Sequence, residues 1–201
     1  MKLTFIEPPP SGSRVPERLA GCSYELYHFP DLANLYPFTL LHDAGHEVNY
    51  VDAVLEGLSA QELLSRVEKD GADAVVIHSV ILSKRADLEV IRTLGDRDGD
   101  LRIFVHGPEP TRVPEEYLIR PNVTVFRGEI ENNLTAYLDA GEAPGTSLMR
   151  DGRVTHVPPS GEFVNLDELP VPFRLHPALA RYTGRYFNPK FEGRPHTVMM
   201  A

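Results

Sequence analysis

With one cysteine, Cys22, in 201 residues, this chain can build no disulfide framework and no cysteine-rich metal site of its own. Cys22 reads as a small packing residue. No apolar run approaches the roughly 20 residues that a membrane span needs. The apolar part of MKLTFIEPPP is too short for an export signal and runs straight into prolines. A cytoplasmic protein without a membrane span is expected. Positive charge is scarce too: 20 Lys and Arg stand against 29 Asp and Glu, a net charge of -9. That disfavours nucleic acid or an anionic membrane as the main partner and leaves a small molecule. The first loop, Glu7-Pro8-Pro9-Pro10, lacks Gly-x-Gly-x-x-Gly, and three prolines offer no backbone N–H to a pyrophosphate, which speaks against a dinucleotide. A phospho-receiver needs an acidic cluster beside the first strand. In the sequence Glu7 stands alone there, and the third strand ends in His78-Ser79.

Apolar residues at 42% and charged residues at 24% describe an ordinary globular chain, long enough for one core with a modest appendage. Short apolar runs alternate with helical patterns. KLTFIE, HEVNYVDA, DAVVIHS, LRIFVHG and NVTVFRG read as strands, the third apolar enough to be buried on both faces. DLANLYPFTLLHDAG, LSAQELLSRVEKDGAD, KRADLEVIRTLG, VPEEYL and EIENNLTAYLDAG read as helices. In the second of these Ser59 and Glu62 have capping-box spacing, Leu58 and Leu63 form a staple and Gly71 a stop. Five βα units predict a doubly wound, five-stranded parallel sheet over residues 1–141, Rossmann-like with flavodoxin-type strand order. After residue 141 TSLMRDGRVTHV reads as a hairpin turning at Asp151-Gly152. The proline-punctuated remainder of 142–201 reads as an extended surface linker.

In such sheets ligands bind beyond the carboxyl ends of the strands, near the topological switch point. That edge collects Glu7 to Pro10, Asp52, Ser79 to Ser83, His106-Gly107-Pro108-Glu109 and Arg127-Gly128-Glu129. Asp52 reads as a capping residue, and His78 and His106 as hydrogen-bonded structural histidines. Gly107 would allow close backbone approach to a ligand. Pro108 and Pro110 would stiffen a flat platform, with helix held off until Val113-Pro114-Glu115.

These loops resemble those of a known family. EPPP, AGHEV before the second strand, SVIL, HGPEPT and RGEIENNL follow, in order, the motif pattern of the N-terminal cobalamin-binding domain of cobalamin-dependent radical S-adenosylmethionine enzymes. NLDELPVPFR resembles the segment joining that domain to the radical barrel, and PHTVMMA the barrel's first strand. The resemblance implies that cobalamin is held by Pro8, Pro9, Pro10, Ser79, Val80, Ile81, Leu82, His106, Gly107, Pro108, Glu109, Gly128 and Glu129. It implies that the partner is a radical S-adenosylmethionine domain of the same parent chain, carrying an iron-sulfur cluster whose three-cysteine loop would follow Ala201. A corrin ring, wide, flat and fringed with amides, suits a platform of small residues and backbone groups.

Two functions follow as expectations. The first is the cobalamin module of a radical enzyme, a methyltransferase acting on an unactivated carbon or phosphorus, or a cyclase. This chain alone would be inactive. The second is a stand-alone module binding or sensing cobalamin or another flat ligand. Cobalamin mutases and methionine synthase place a histidine on cobalt from an Asp-x-His-x-x-Gly loop. Here Asp52 to Gly57 has Val54 in that slot and follows the wrong strand, while Asp31 to Tyr36 offers Ala33. The expectation is an open lower cobalt face with Val80, Ile81 or Leu82 nearest, and His28 or His42 as the exceptions to check.

Overall fold

The computed structural model describes residues 1–188 apart from 20, 22, 98 and 162. Cys22 and the segment PHTVMMA lie outside the described residues. Runs rich in β-branched and aromatic residues form β1 (Lys2–Glu7), β2 (Glu47–Asp52), β3 (Ala74–His78), β4 (Arg102–His106) and β5 (Val123–Phe126). They are parallel and lie side by side as β2-β1-β3-β4-β5, the expected order.

The sheet does not stop at five strands. The hairpin β6 (Thr146–Arg150) and β7 (Arg153–His156) joins it antiparallel to β5, giving seven strands in the order β2-β1-β3-β4-β5-β6-β7. This corrects the expected count. Asp151 and Gly152 both have positive φ, 50° and 73°, the twist that a two-residue hairpin turn demands. The unpaired edge of β5 then accepts Thr146 to Leu148.

Helices cover both faces. One side carries α1 (Leu32–Asp43), α6 (Leu134–Ala140) and α7 (Pro177–Thr183), packed through Leu35, Phe38, Tyr137 and Tyr182 on Phe5, Tyr50, Phe104 and Phe126. The other carries α3 (Ala60–Asp70) and α4 (Lys84–Arg97), packed through Leu63, Leu64, Val90 and Leu94 on Ile6, Val75, Ile77 and Val105. The capping box of α3 is formed. Glu62 Oε2 accepts from the Ser59 N–H at 2.8 Å, Ser59 Oγ accepts from the Glu62 N–H at 3.3 Å, and Gly71 closes the helix at φ 62°. No described helix is long and apolar enough to cross a membrane.

Three short helices depart from the expectations. The Asp52 to Gly57 segment after β2 contains α2 (Ala53–Glu56), capped by Asp52 Oδ1 on the Leu55 N–H at 2.7 Å. Directly after Gly107 comes α5 (Pro108–Arg112), so helix is not held off, and Pro114–Glu116 is a 3-10 turn. A proline at N1 has its φ preset and has no N–H to satisfy there, and the Thr111 N–H closes the turn on the Gly107 carbonyl at 3.1 Å.

The third, α7, lies in the stretch expected to be an extended linker. Leu179, Tyr182 and Tyr186 are buried instead. Its side chains serve the outer edge of β2, which has no strand beside it among the described residues. The Tyr50 carbonyl accepts from Arg181, and the Asp52 N–H donates to the Tyr182 hydroxyl at 3.2 Å. The Tyr182 hydroxyl donates in turn to Glu56.

Candidate functional site

The carboxyl ends of β1, β3, β4 and β5 gather the sequence-predicted residues along one edge, but they divide into a buried floor and an exposed rim. Ser79 is in the floor. Its hydroxyl donates to Asp87 Oδ2 at 2.6 Å and lies 2.8 Å from the Tyr117 hydroxyl. Ser83 Oγ reaches the same Asp87 oxygen at 2.5 Å. Arg18, from the long loop after β1, pairs with Asp87 Oδ1 at 2.9 Å and donates to the His78 carbonyl. Both ions of that pair are buried, so each needs the other. Val80 is also buried, with Gly21 of the loop lying over it so closely that a Cβ there would sit 3.1 Å from Val80 Cβ. Glu109 is held by Lys84 at 3.0 Å and by Arg112, fixing the start of α4 to α5.

Paired in register, His78 and His106 stack with ring centroids 5.0 Å apart. Asp31, the N-cap of α1, takes His78 Nδ1 at 2.9 Å, and Asn34 Oδ1 accepts from His106 Nε2 at 3.0 Å. Burial, and then the charge of His78, pull His106 down to about 3, so it is a neutral imidazole. Although burial alone would raise it, the Asp31 carboxyl is held below its usual range by His78 and Arg18. Gly107 belongs to this packing. At φ 116° a Cβ would stand 2.4 Å from the Ser79 carbonyl oxygen and 2.6 Å from His78 Cδ2. A Cβ at this position would therefore collide with the chain's own Ser79 and His78.

The rim offers the accessible surface. Ile81 is 58% exposed just past β3, Leu82 is half-buried and Pro108 is exposed. Gly128, at φ 80°, has open space where a Cβ would be, and its N–H donates to Thr111 Oγ1 at 2.9 Å. Glu129 is exposed and accepts from the Val164 N–H at 2.7 Å. Pro8 is buried, while Pro9 and Pro10 line a groove of about 660 Å³ that runs along Ala53, Leu58 and Val90. The rim thus presents an exposed apolar side chain after β3 and open glycine backbone after β5.

Beside this rim, Glu7 does not stand alone. It ends β1 as the register partner of Asp52 at the end of β2, and the loop brings Glu25 and His28 over both. His28 Nδ1 meets Glu25 Oε2 at 2.6 Å and Nε2 meets Asp52 Oδ2 at 2.9 Å. Tyr186 donates to the same Asp52 oxygen at 3.0 Å, and Tyr50 to Glu7 Oε2 at 3.3 Å. Burial opposes charge on His28, yet Glu7, Asp52 and Glu25 outweigh it and push the imidazole up to about 11. Burial, and then the charge of Asp52, raise the Glu7 carboxyl well above its usual range. The capping role expected for Asp52 is present; the cluster around it left no local mark in the sequence, because Glu25 and His28 reach it only through the path of the loop. His42, the other histidine to check, lies at the far end of α1 against Phe173 and His176.

Neither a family model nor a curated protein matches the chain. Solved structures do. The cobalamin-dependent S-adenosylmethionine radical enzyme OxsB with aqua-cobalamin and S-adenosylmethionine bound superposes with a TM-score of 0.67 at 19% identity. Its aqua-cobalamin form gives 0.66 and its apo, selenomethionine-labelled form 0.64, at the same identity. The match covers 85% of this chain and 24% of OxsB, so the chain spans about a quarter of the enzyme's length. What is shared at that identity is the fold, a largely parallel Rossmann-like sheet with helices on both sides.

Proposed function

We propose that this chain is a cobalamin-binding module of a larger radical S-adenosylmethionine enzyme, with the corrin lying across the rim at the carboxyl ends of β3, β4 and β5. The observation that carries this reading is that the family-like loops SVIL, HGPEPT and RGEIENNL, far apart in sequence, follow the carboxyl ends of the neighbouring strands β3, β4 and β5, with Ile81 exposed in the first of them. The fold shared with OxsB supports it. Ile81 and Leu82 would lie under the ring, with Pro108, Gly128 and Glu129 at its amide fringe. Ser79, Val80, Gly107 and Glu109 would act from beneath, by holding the loops in place. When bound, cobalamin supplies a cobalt able to carry a methyl group. The parent enzyme, with its iron-sulfur cluster and S-adenosylmethionine, would be a methyltransferase acting on an unactivated carbon or phosphorus. The second reading, a stand-alone binding module, gains from α7: part of the supposed linker has a structural task in the module itself.

Titration of the chain with hydroxocobalamin, followed in the visible spectrum, tests the reading. Saturable binding is expected, and Ile81→Glu should weaken it at least tenfold, about 1.4 kcal/mol, without unfolding an exposed position. Absence of saturable binding to the wild-type chain, or equal affinity in the variant, overturns it.

A further inference from the structure

We infer that Glu7, His28 and Asp52 form a binding site for one divalent first-row transition-metal ion, set beside the rim and independent of the cobalamin reading. Glu7 and Asp52 are the last residues of adjacent parallel strands and are register partners, so their carboxylates project on the same side from rigid backbone. His28 Nε2 faces both, 2.9 Å from Asp52 Oδ2 and 3.7 Å from Glu7 Oε1. Metal bonds of about 2.1 Å place neighbouring ligand atoms roughly 3.0 to 3.4 Å apart, a range these two separations bracket.

The surroundings have the features of an outer shell around a metal. Glu25 holds His28 Nδ1 at 2.6 Å, which turns Nε2 toward the two strand-end carboxylates, the arrangement by which a carboxylate orients a ligating imidazole. One ligand atom each of Glu7, Glu25 and His28 lies within 4.8 Å of the others. Tyr50 donates to the far oxygen of Glu7, Oε2, and the Leu55 N–H to the far oxygen of Asp52, Oδ1, while Tyr186 donates to Asp52 Oδ2, the oxygen that also meets His28.

A distinct observation points to a missing cation. Glu7 is only 1% exposed, yet its Oε1 stands 3.7 Å from His28 Nε2, beyond hydrogen-bond reach. Among the described residues no hydrogen bond reaches that oxygen, His28 being its nearest cation, while Tyr50 donates to Oε2 of the same carboxylate. Three carboxylates share one imidazole, while the buried guanidinium of Arg18 is committed to Asp87. One imidazole with two carboxylates suits Zn²⁺, Fe²⁺, Mn²⁺ or Co²⁺, and binding releases the proton that Nε2 shares with Asp52.

The test uses the full chain, stripped with chelator and titrated with Zn²⁺ against a chromogenic competitor, and with Co²⁺ followed by its visible absorption. One ion per chain is expected. His28→Ala and Glu7→Gln should each lower affinity more than a hundredfold with the far-ultraviolet circular dichroism unchanged, and Glu25→Gln, which alters only the group holding Nδ1, ten- to a hundredfold. No stoichiometric Zn²⁺ or Co²⁺ binding, or binding that survives His28→Ala and Glu7→Gln, overturns the inference. If a ligand variant does not fold, the wild-type stoichiometry and the Glu25→Gln shift decide it. Hydroxocobalamin affinity, measured separately, reports only on the cobalamin reading.

Discussion

At the scale of single residues, His106 ties the edge of the sheet to pH. It is buried and neutral, its pKa lowered to about 3, and it is faced by His78 from β3 and by Asp31 and Asn34 from the start of α1. An unfolded histidine titrates near 6.5. Between those values the unfolded chain binds the proton and the folded chain does not, so stability rises with pH through that window and is lost as pH falls. Urea unfolding should show stability dropping on acidification from pH 6.5 by up to about 1.4 kcal/mol per pH unit from this group. Asp31, with its lowered carboxyl, adds a loss of the same sign at lower pH. In His106→Gln the His106 increment should vanish; an unchanged pH slope would show that another group dominates. Residues of this kind were only half legible in the sequence. His106 could be placed at a strand end and read as structural. Its partner Asn34 lies 72 residues away and meets it only because α1 packs on the sheet.

At the scale of elements, the legible parts were those whose signals are local. The capping box at Ser59 and Glu62 and the Asp-Gly hairpin turn depend on residues within a few positions, and both formed as read. Ser59→Ala should cost about 1 kcal/mol in chemical denaturation, and Glu62→Ala should remove the reciprocal half of the box. Harder to read was α5, because Gly-Pro marks a turn and a helix start alike, and the packing of Gly107 against His78 decides between them. Equally illegible was α7. Pro177 to Thr183 is too short and too sparsely apolar to declare itself, and its stability comes from Tyr182 and Leu179 entering a core built by distant residues. Tyr182→Ala should therefore cost about 3 kcal/mol, and Tyr182→Phe, which keeps the ring and loses only its hydrogen bonds, about 1 kcal/mol. Similar losses in the two variants would assign the role of Tyr182 to its hydroxyl instead of its ring.

Across the whole molecule, the parallel order was visible in the alternation of strands and helices, while the full width of the sheet was not, since a hairpin carries no sign of what it will pair with. On the proposed reading, the lower face of a flat ligand at the rim would meet aliphatic surface. Val80 is covered by the loop and His28 is engaged by three carboxylates, so Ile81 is the accessible side chain at the end of β3. Paramagnetic resonance of cobalt(II) cobalamin bound to the chain should accordingly lack nitrogen hyperfine splitting from an axial ligand. Its appearance would place a histidine, or the cofactor's own base, on the metal.

The sheet has two outer strands, and they are treated differently. At one side β7 is four residues long and begins with Arg153, a poor template for another chain. At the other, β2 is longer, and among the described residues the Arg181 and Tyr182 side chains occupy its outward Tyr50 carbonyl and Asp52 amide. That makes α7 a guard against self-recognition: a chain cut before Pro177 would present β2 as a vacant ladder rung. Such a truncation should remain folded at low concentration and associate through β2 as concentration rises, which sedimentation would reveal. Restoring Pro177 to Asn188 should return it to a single species.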